Sequence, residues 1–389
     1  MDAGARGQGG VTLEELETPC LVLDRAKVDR NIRRLRGRLD PMGVTLRPHL
    51  KTAKSIDVAR RAMVSPQGPA TVSTLREAEY FAGHGVTDLI YAVGVAPGKL
   101  GRVAAIRRDH GADLAVVLDN VEAARAVAAM SRETGDAIPA LIEIDGDGHR
   151  SGVGPGEADL LVAIGRELQQ GGASLRGVLT HAGESYEARS PEALVACAEQ
   201  ENAAAVRAAA VLRAAGLPCP VVSVGATPTA HFARGMAGVT EVRAGVFMFF
   251  DLVMAGIGVC DIDDIALSVL ATVIGHQRDK GWIIVDAGWM ALSRDRGTAR
   301  QAVDQGYGLV CDLAGQPWPD LIVAGANQEH GIVARRPGAT GPVPDLPIGA
   351  RLRILPNHAC ATGAQHGRYH VVDGAGLEVG AVWDRINGW

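Results

Sequence analysis

Between residues 20 and 260, short apolar, β-prone runs alternate with longer Ala-, Arg- and Glu-rich stretches of helical period, and this repetition restricts the fold more than any other feature of the chain. Repeated βα units lay their strands parallel in one sheet, with helices covering it. Strands are expected at Cys20–Leu23, Thr45–Pro48, Ala70–Ser73, Asp88–Tyr91, Leu114–Leu118, Ala140–Ile144, Leu175–Thr180, Val221–Val224 and Glu241–Ala244. Helices are expected at Lys27–Leu39, Leu75–His84, Val121–Glu133, Ala158–Gln169 and Pro191–Ala215. Eight or nine such strands over about 240 residues fit a (β/α)8 barrel, with a doubly wound open sheet as the alternative.

Beyond Asp251 the helical period fades. Ile265–Ile274, Gly281–Val285, Leu321–Ala324 and Leu352–Ile354 alternate or run apolar between Gly, Pro and Asp turns, the pattern of an all-β domain. The tail Tyr369–Trp389 reads as strand in the same domain. The expected division is an N-terminal tail over 1–17 that could pair with the β domain, a barrel over 18–260, and the C-terminal all-β domain over 261–389. With 389 residues, 47% of them hydrophobic, the chain can bury two cores of that size.

Charge narrows the partners. The formal net charge is −5 with acidic and basic residues interspersed, so no basic stripe exists to grip nucleic acid and a small-molecule substrate is expected. No apolar run approaches the roughly 18 residues of a membrane span. Met1–Gly10 lacks the charged-then-apolar order of a secretion signal, so a cytoplasmic enzyme is expected. Six cysteines, at positions 20, 197, 219, 260, 311 and 360, make no C-x-x-C pair, which suits reduced thiols.

Four segments carry candidate chemistry. In Arg47-Pro48-His49-Leu50-Lys51-Thr52, period-two alternation puts Arg47, His49 and Lys51 on one face of a strand end. Such a cationic face is no core-packing solution; the alternative is an edge segment with all three groups solvated. Desolvation beside another positive charge favours the neutral amine of a lysine, the form that condenses with an aldehyde such as pyridoxal phosphate (PLP). Val221–Val224 runs into Gly225-Ala226-Thr227-Pro228-Thr229, a glycine turn whose N–H groups and Thr227 could cup a phosphate, or an ordinary loop. Gly146–Gly152 lacks G-x-G-x-x-G spacing, which rejects a dinucleotide fingerprint and leaves Arg150 at a strand end to meet an anion. His181 ends another strand, with Tyr186 in the loop behind it. Lys51, Arg150, His181 and Thr227 thus all follow expected strands, where a parallel barrel gathers its active site.

The last segment, Leu355–Thr362, reads as extended, so His358 and Cys360 leave one face and can share a cation. Two ligands are too few to close a structural zinc site and would leave positions for water or substrate. The other reading is a buried thiol beside a histidine satisfied by a carbonyl.

Taken together, Arg47–Lys54, Gly225-Ala226-Thr227 and Pro356–Cys360 resemble the fold-type III PLP enzymes of D-3-hydroxy amino acids, a family of D-threonine aldolases, eukaryotic-type D-serine dehydratases and 3-hydroxyaspartate dehydratases. The likeness runs from Thr18 to Trp389, and Asp145–Gly154, Asp286–Ala291, Arg294–Gln301 and Asn357–Gln365 turn it toward the 3-hydroxyaspartate dehydratases. The resemblance implies an alanine-racemase-like barrel joined to a β domain, PLP on Lys51, and a divalent metal on His358 and Cys360 next to the cofactor. It further implies that Arg150, Tyr186, Gly225, Ala226 and Thr227 line the cofactor and that the enzyme is a homodimer; His181 joins the cofactor-binding candidates from its place at a strand end. Aldolases of the family tend to carry Asp where this chain has Cys360, which favours elimination.

In the implied reaction the Lys51 amine removes the Cα proton of a D-3-hydroxy amino acid and the β-hydroxyl leaves with help from the metal. D-threo-3-hydroxyaspartate would give oxaloacetate and ammonia, and D-serine pyruvate and ammonia. The alternative is an aldolase, giving glycine and an aldehyde. Arg294 or Arg296 could meet a β-carboxylate, or both could be surface residues, and His330 is the candidate to support the metal from behind its ligands.

Overall fold

The computed structural model describes residues 10–389, so the first part of the expected 1–17 tail lies outside the described residues. The chain divides into two compact units. One holds Asn31–Met248, Ile257–Val259 and Ile386–Trp389; the other holds, of the described residues, 10–30, Phe249–Gly256 and Cys260–Arg385.

The first unit is a parallel barrel. Its strands are Thr45–Pro48, Ala70–Val72, Asp88–Gly94, Asp113–Leu118, Pro139–Ile144, Ser174–Thr180, Val221–Val224 and Glu241–Ala244. From Ala70–Val72 onward each pairs in parallel with the next, and Thr45–Pro48 pairs in parallel with Glu241–Ala244 at the other end of the series. The ring closes where His49 bridges Thr71 and the Leu50 N–H donates to the Thr71 carbonyl at 2.8 Å. Ile90, Ala115, Val117, Leu141 and Leu179, from four adjacent strands, form one buried apolar cluster. Three of the intervening helices start on side-chain caps. Thr74 accepts from the Glu77 N–H at 3.0 Å, Asn120 from Ala123 at 2.8 Å and Ser190 from Ala193 at 3.2 Å, opening Leu75–Gly83, Val121–Thr134 and Pro191–Ala214.

The second unit is a nine-stranded sheet. Its order is Trp282–Val285, Gly331–Arg335, Pro317–Ala326, Leu309–Cys311, Arg351–Leu355, Leu267–Gln277, Cys20–Asp24, Arg368–Val372 and Ala381–Asp384. Cys20–Asp24 is a correction to the sequence reading, which counted it toward the barrel. It pairs antiparallel with Leu267–Gln277 and parallel with Arg368–Val372. All five of its residues are buried and the first four are apolar, so Cys20–Leu23 reads like a barrel strand and carries no mark of its partner. Cys20 and Val22 pack with Leu13, Leu270 and Val372 in this unit's core. Ahead of that strand, Thr12 bridges Glu378 and the Leu13 N–H donates to the Leu377 carbonyl at 2.9 Å.

The chain end is a second correction. Ile386–Trp389 groups with the barrel unit, because the Ile386 N–H donates to the Lys54 carbonyl at 2.9 Å. Among the described residues, no helix is long and apolar enough to cross a membrane.

Candidate active site

Lys51 follows the first barrel strand in a tight turn closed by the Lys54 N–H donating to the Leu50 carbonyl at 2.8 Å. Lys54 takes a left-handed φ of 48°, and its ammonium pairs at 3.2 Å with the fully buried Glu77. The turn is therefore held by residues other than Lys51. Lys51 itself is exposed, and among the described residues its Nζ has no hydrogen-bond or ion-pair partner.

The company of Lys51 differs from the expected strand face. Arg47 is buried and neutralised, Nε donating to Glu241 Oε2 at 2.8 Å and Nη1 to Asp88 Oδ1 at 2.7 Å. The strand ends at Pro48, so alternation does not reach Lys51. The charges that bear on this corner are those of Lys51 and Arg243, acting on two histidines. Burial, then Lys51, Arg243 and His181, hold His49 well below the usual histidine range. Burial also lowers His181, against its bond to the Gly225 carbonyl and with Lys51 and Arg243 adding, to about 4. Arg243, which the sequence reading passed over, donates to Ser223 Oγ and the Thr180 carbonyl, both at 2.6 Å.

A neutral His181 has a defined tautomer. Its Nδ1 lies 2.8 Å from the Gly225 carbonyl, so the proton sits there and Nε2 keeps its lone pair. Because the folded value lies below the ordinary 6.5, the unfolded chain binds a proton first as pH falls, and the stability tied to this ring is lost between about 6.5 and 4. In the cofactor-free protein, His181→Gln should therefore gain melting temperature relative to wild type across that window. A constant difference would show that the ring is not held neutral.

The glycine turn beside it is shaped by close approach. Gly225 has φ +147°, and a Cβ there would run into the Arg243 carbonyl. Its N–H donates to Glu201 Oε1 at 3.0 Å and the Ala226 N–H to Thr229 Oγ1 at 3.2 Å, so these backbone donors, expected to face a phosphate, are taken inside the protein. Thr227 Oγ1 accepts the Phe247 N–H at 3.3 Å and keeps its own proton to donate. Glu201 binds the loops together: it accepts from the N–H groups of Ala182 at 2.9 Å and Gly225, and from the Thr229 hydroxyl at 2.7 Å. No sequence signal separates it from the other glutamates of its Ala-rich helix. Gly225→Ala should destabilise the protein by roughly 1–3 kcal/mol or more, which denaturant titration would measure.

Tyr186 lies in the short turn Gly183–Glu187 with its ring 6.3 Å from that of His181. Arg150 is not brought into contact with this group. Its side chain is 58% exposed and leans on Glu143 at 3.4 Å, reaching His181 only through its charge.

The metal candidates lie in the β unit. His358 is extended, at φ −136° and ψ 110°, but Ala359–Gly363 is one helical turn, so Cys360 is not on the expected extended chain. The turn starts there because Asp251 Oδ2 accepts the Ala359 N–H at 3.0 Å and the Thr362 N–H closes on the His358 carbonyl at 3.1 Å. The two side chains still meet through a hydrogen bond. Burial opposes charge on His358, but Asp295, Cys360 and Asp251 outweigh it and push the imidazole up to about 11. Among the described residues, no group of three or more His, Cys, Asp or Glu side chains is placed to hold a metal. A cation here would rest on His358 and Cys360 and fill its remaining positions with water or substrate.

His330, the expected supporting residue, is exposed; Asp295 occupies that place, with Oδ2 3.0 Å from His358 Nδ1. Arg296 pairs with Asp304 at 2.8 Å and lies over Tyr307, while Arg294 lies over Trp289.

Both groups of residues fit what the family resemblance implies. An exposed lysine without a partner among the described residues, just beyond a barrel strand, suits an aldehyde cofactor that carries a phosphate. A thiol, an imidazole and two carboxylates that together attract a proton suit a divalent cation in its place.

Comparison with known proteins agrees. The model for "Alanine racemase, N-terminal domain" matches residues 23–253, and that for "Putative serine dehydratase domain" matches 266–372. The chain is 58% identical over 380 residues to D-threo-3-hydroxyaspartate dehydratase of Delftia sp. (strain HT23), covering 97% of this chain and 99% of that protein. A solved structure of D-threo-3-hydroxyaspartate dehydratase, a cysteine-to-alanine mutant in the metal-free form, superposes with a TM-score of 0.93 at 57% identity, covering 97% and 100% of the two chains. D-threonine aldolase from Filomicrobium marinum is more distant, at 27% identity and a TM-score of 0.81 over 98% of each chain. The chain is thus a member of the alanine-racemase-like family, in the branch whose barrel is followed by a serine dehydratase domain.

Proposed function

We propose that this chain is a PLP- and divalent-metal-dependent dehydratase of D-3-hydroxy amino acids, converting D-threo-3-hydroxyaspartate to oxaloacetate and ammonia, and also D-serine to pyruvate and ammonia. The observation that carries this reading is the 58% identity, along nearly the whole of both chains, to a relative named for that reaction. The exposed amine of Lys51, without a partner among the described residues, and the His358–Cys360 pair agree with it.

PLP, when bound, supplies an electron sink at Cα, and a divalent cation supplies a Lewis acid for the departing hydroxide. The residues around them do the rest. Lys51 would hold the cofactor aldehyde, and its amine is the base placed to take the Cα proton. Thr227 offers its hydroxyl proton to the phosphate. His181, neutral with Nδ1–H fixed on the Gly225 carbonyl, presents an uncharged ring face beside Tyr186. Cys360 and His358 would hold the ion through sulfur and nitrogen, and a two-residue set would leave positions free for water or substrate.

The reading extends to a homodimer, which light scattering would show as twice the chain mass, and to a reducing compartment such as the cytoplasm, which suits six free cysteines. Product analysis decides the reaction. Incubated with D-threo-3-hydroxyaspartate, D-serine and D-threonine, the holoenzyme should release ammonia and a 2-oxo acid. Glycine with an aldehyde would make it an aldolase, as its distant relative is named.

A further inference from the structure

We propose that Asp295 is a positioning residue that turns His358 so that Nε2 faces a bound metal ion; this rests on the reading of His358 and Cys360 as the metal pair. Both carboxylate oxygens of Asp295 are engaged. Oδ2 lies 3.0 Å from His358 Nδ1, and Oδ1 accepts the Gly297 N–H at 2.8 Å. A carboxylate so anchored fixes the imidazole plane and makes Nδ1 the protonated nitrogen, which leaves Nε2 as the ligand atom.

The chain on either side is built to hold Asp295 there. Ser293, buried and with no glycine's freedom, adopts a left-handed φ of 75°, and its hydroxyl accepts the Asp295 N–H at 3.2 Å. Backbone strain of this kind persists only where the surroundings enforce it. From the other side, Asn357, next to His358 in sequence, donates to the Asp295 carbonyl at 3.3 Å and to the Gly306 carbonyl at 2.7 Å. Its own Oδ1 accepts the Thr298 hydroxyl at 2.6 Å. The loop that carries Asp295 and the turn that carries His358 are therefore clamped by main chain and side chain together. Asp295 touches neither substrate nor cofactor in this account; it acts through His358.

The test uses manganese as the probe ion. Wild type, Asp295→Ala and Asp295→Asn, each loaded with PLP, are titrated with Mn2+ while free ion is followed by EPR and the visible cofactor band is recorded in the same samples. Asp295→Ala should bind Mn2+ roughly 10–100-fold more weakly than wild type, the usual effect of losing an outer-shell partner. Asp295→Asn should recover part of that loss, because its one amide oxygen can still accept the Nδ1–H while the bond from the Gly297 N–H is given up. The cofactor band should stay unchanged in all three. Wild-type affinity in Asp295→Ala would overturn the proposal, as would equal weakening in Asp295→Asn, which would mean charge rather than orientation. Loss of the cofactor band along with the metal would overturn it by showing a general structural role. A wild-type holoenzyme that binds no Mn2+ would instead remove the metal pair itself.

Discussion

Lys51→Ala should purify without the visible absorption of lysine-bound PLP and should lose dehydration of D-threo-3-hydroxyaspartate by on the order of 10³-fold or more. The size of the effect follows from the two tasks given to one amine, anchoring the cofactor and taking the Cα proton. The substitution should leave the fold alone. Lys51 is exposed and without a partner among the described residues, and its turn is held by the Lys54–Glu77 pair and by the Lys54 N–H on Leu50. Its cost in stability should therefore stay within about 0.5 kcal/mol, as for other surface changes. Lys54→Ala makes the opposite comparison: it leaves the buried Glu77 carboxylate without its cation, so it should destabilise by several times that amount. Spectra and denaturation curves of the two variants, read side by side, check both statements. A yellow, active Lys51→Ala enzyme would end this assignment.

Cys360→Ala should keep the PLP band and lose the metal. Without the cation, hydroxide leaves unaided, and a Lewis-acid contribution of several kcal/mol corresponds to a loss of about 10²-fold or more in turnover. Metal analysis of the purified variant, beside its absorption spectrum, separates this result from a folding defect. Cys360 is only half-buried, and the turn it occupies is held by backbone bonds to Asp251 and His358, so the thiol is not needed to form it. Full activity in Cys360→Ala, or a variant that still retains a metal ion at wild-type affinity, would contradict the role of the thiol.

Periodicity revealed the barrel because each of its eight strands is followed by a segment of helical pattern or a glycine turn, and the ends of Thr45–Pro48, Val221–Val224 and Glu241–Ala244 are found where the pattern puts them. It could not assign Cys20–Asp24, because an apolar run buried on both faces reads the same in either sheet. The same limit applied at the site. Lys51 is visible through its local motif, but Arg243, on the strand beside that motif, and Glu201, which holds the Gly225 turn from a distant helix, are brought to this corner only by folding. Asp295 lay in a segment noted for its resemblance, 63 residues from the histidine it supports, and no spacing rule links the two. Short-range chemistry is written along the chain. The hydrogen bonds that orient it come from partners whose distance in sequence is arbitrary.

The most direct test of the account removes and restores the metal on one sample of holoenzyme. Ammonia release from D-threo-3-hydroxyaspartate is followed while a chelator is added and then titrated out with a divalent cation, with the PLP band monitored throughout. Release should stop with the chelator, the band should remain, and the cation should restore turnover. Ammonia that continues unabated with the metal gone would contradict the assignment of His358 and Cys360 to hydroxide departure.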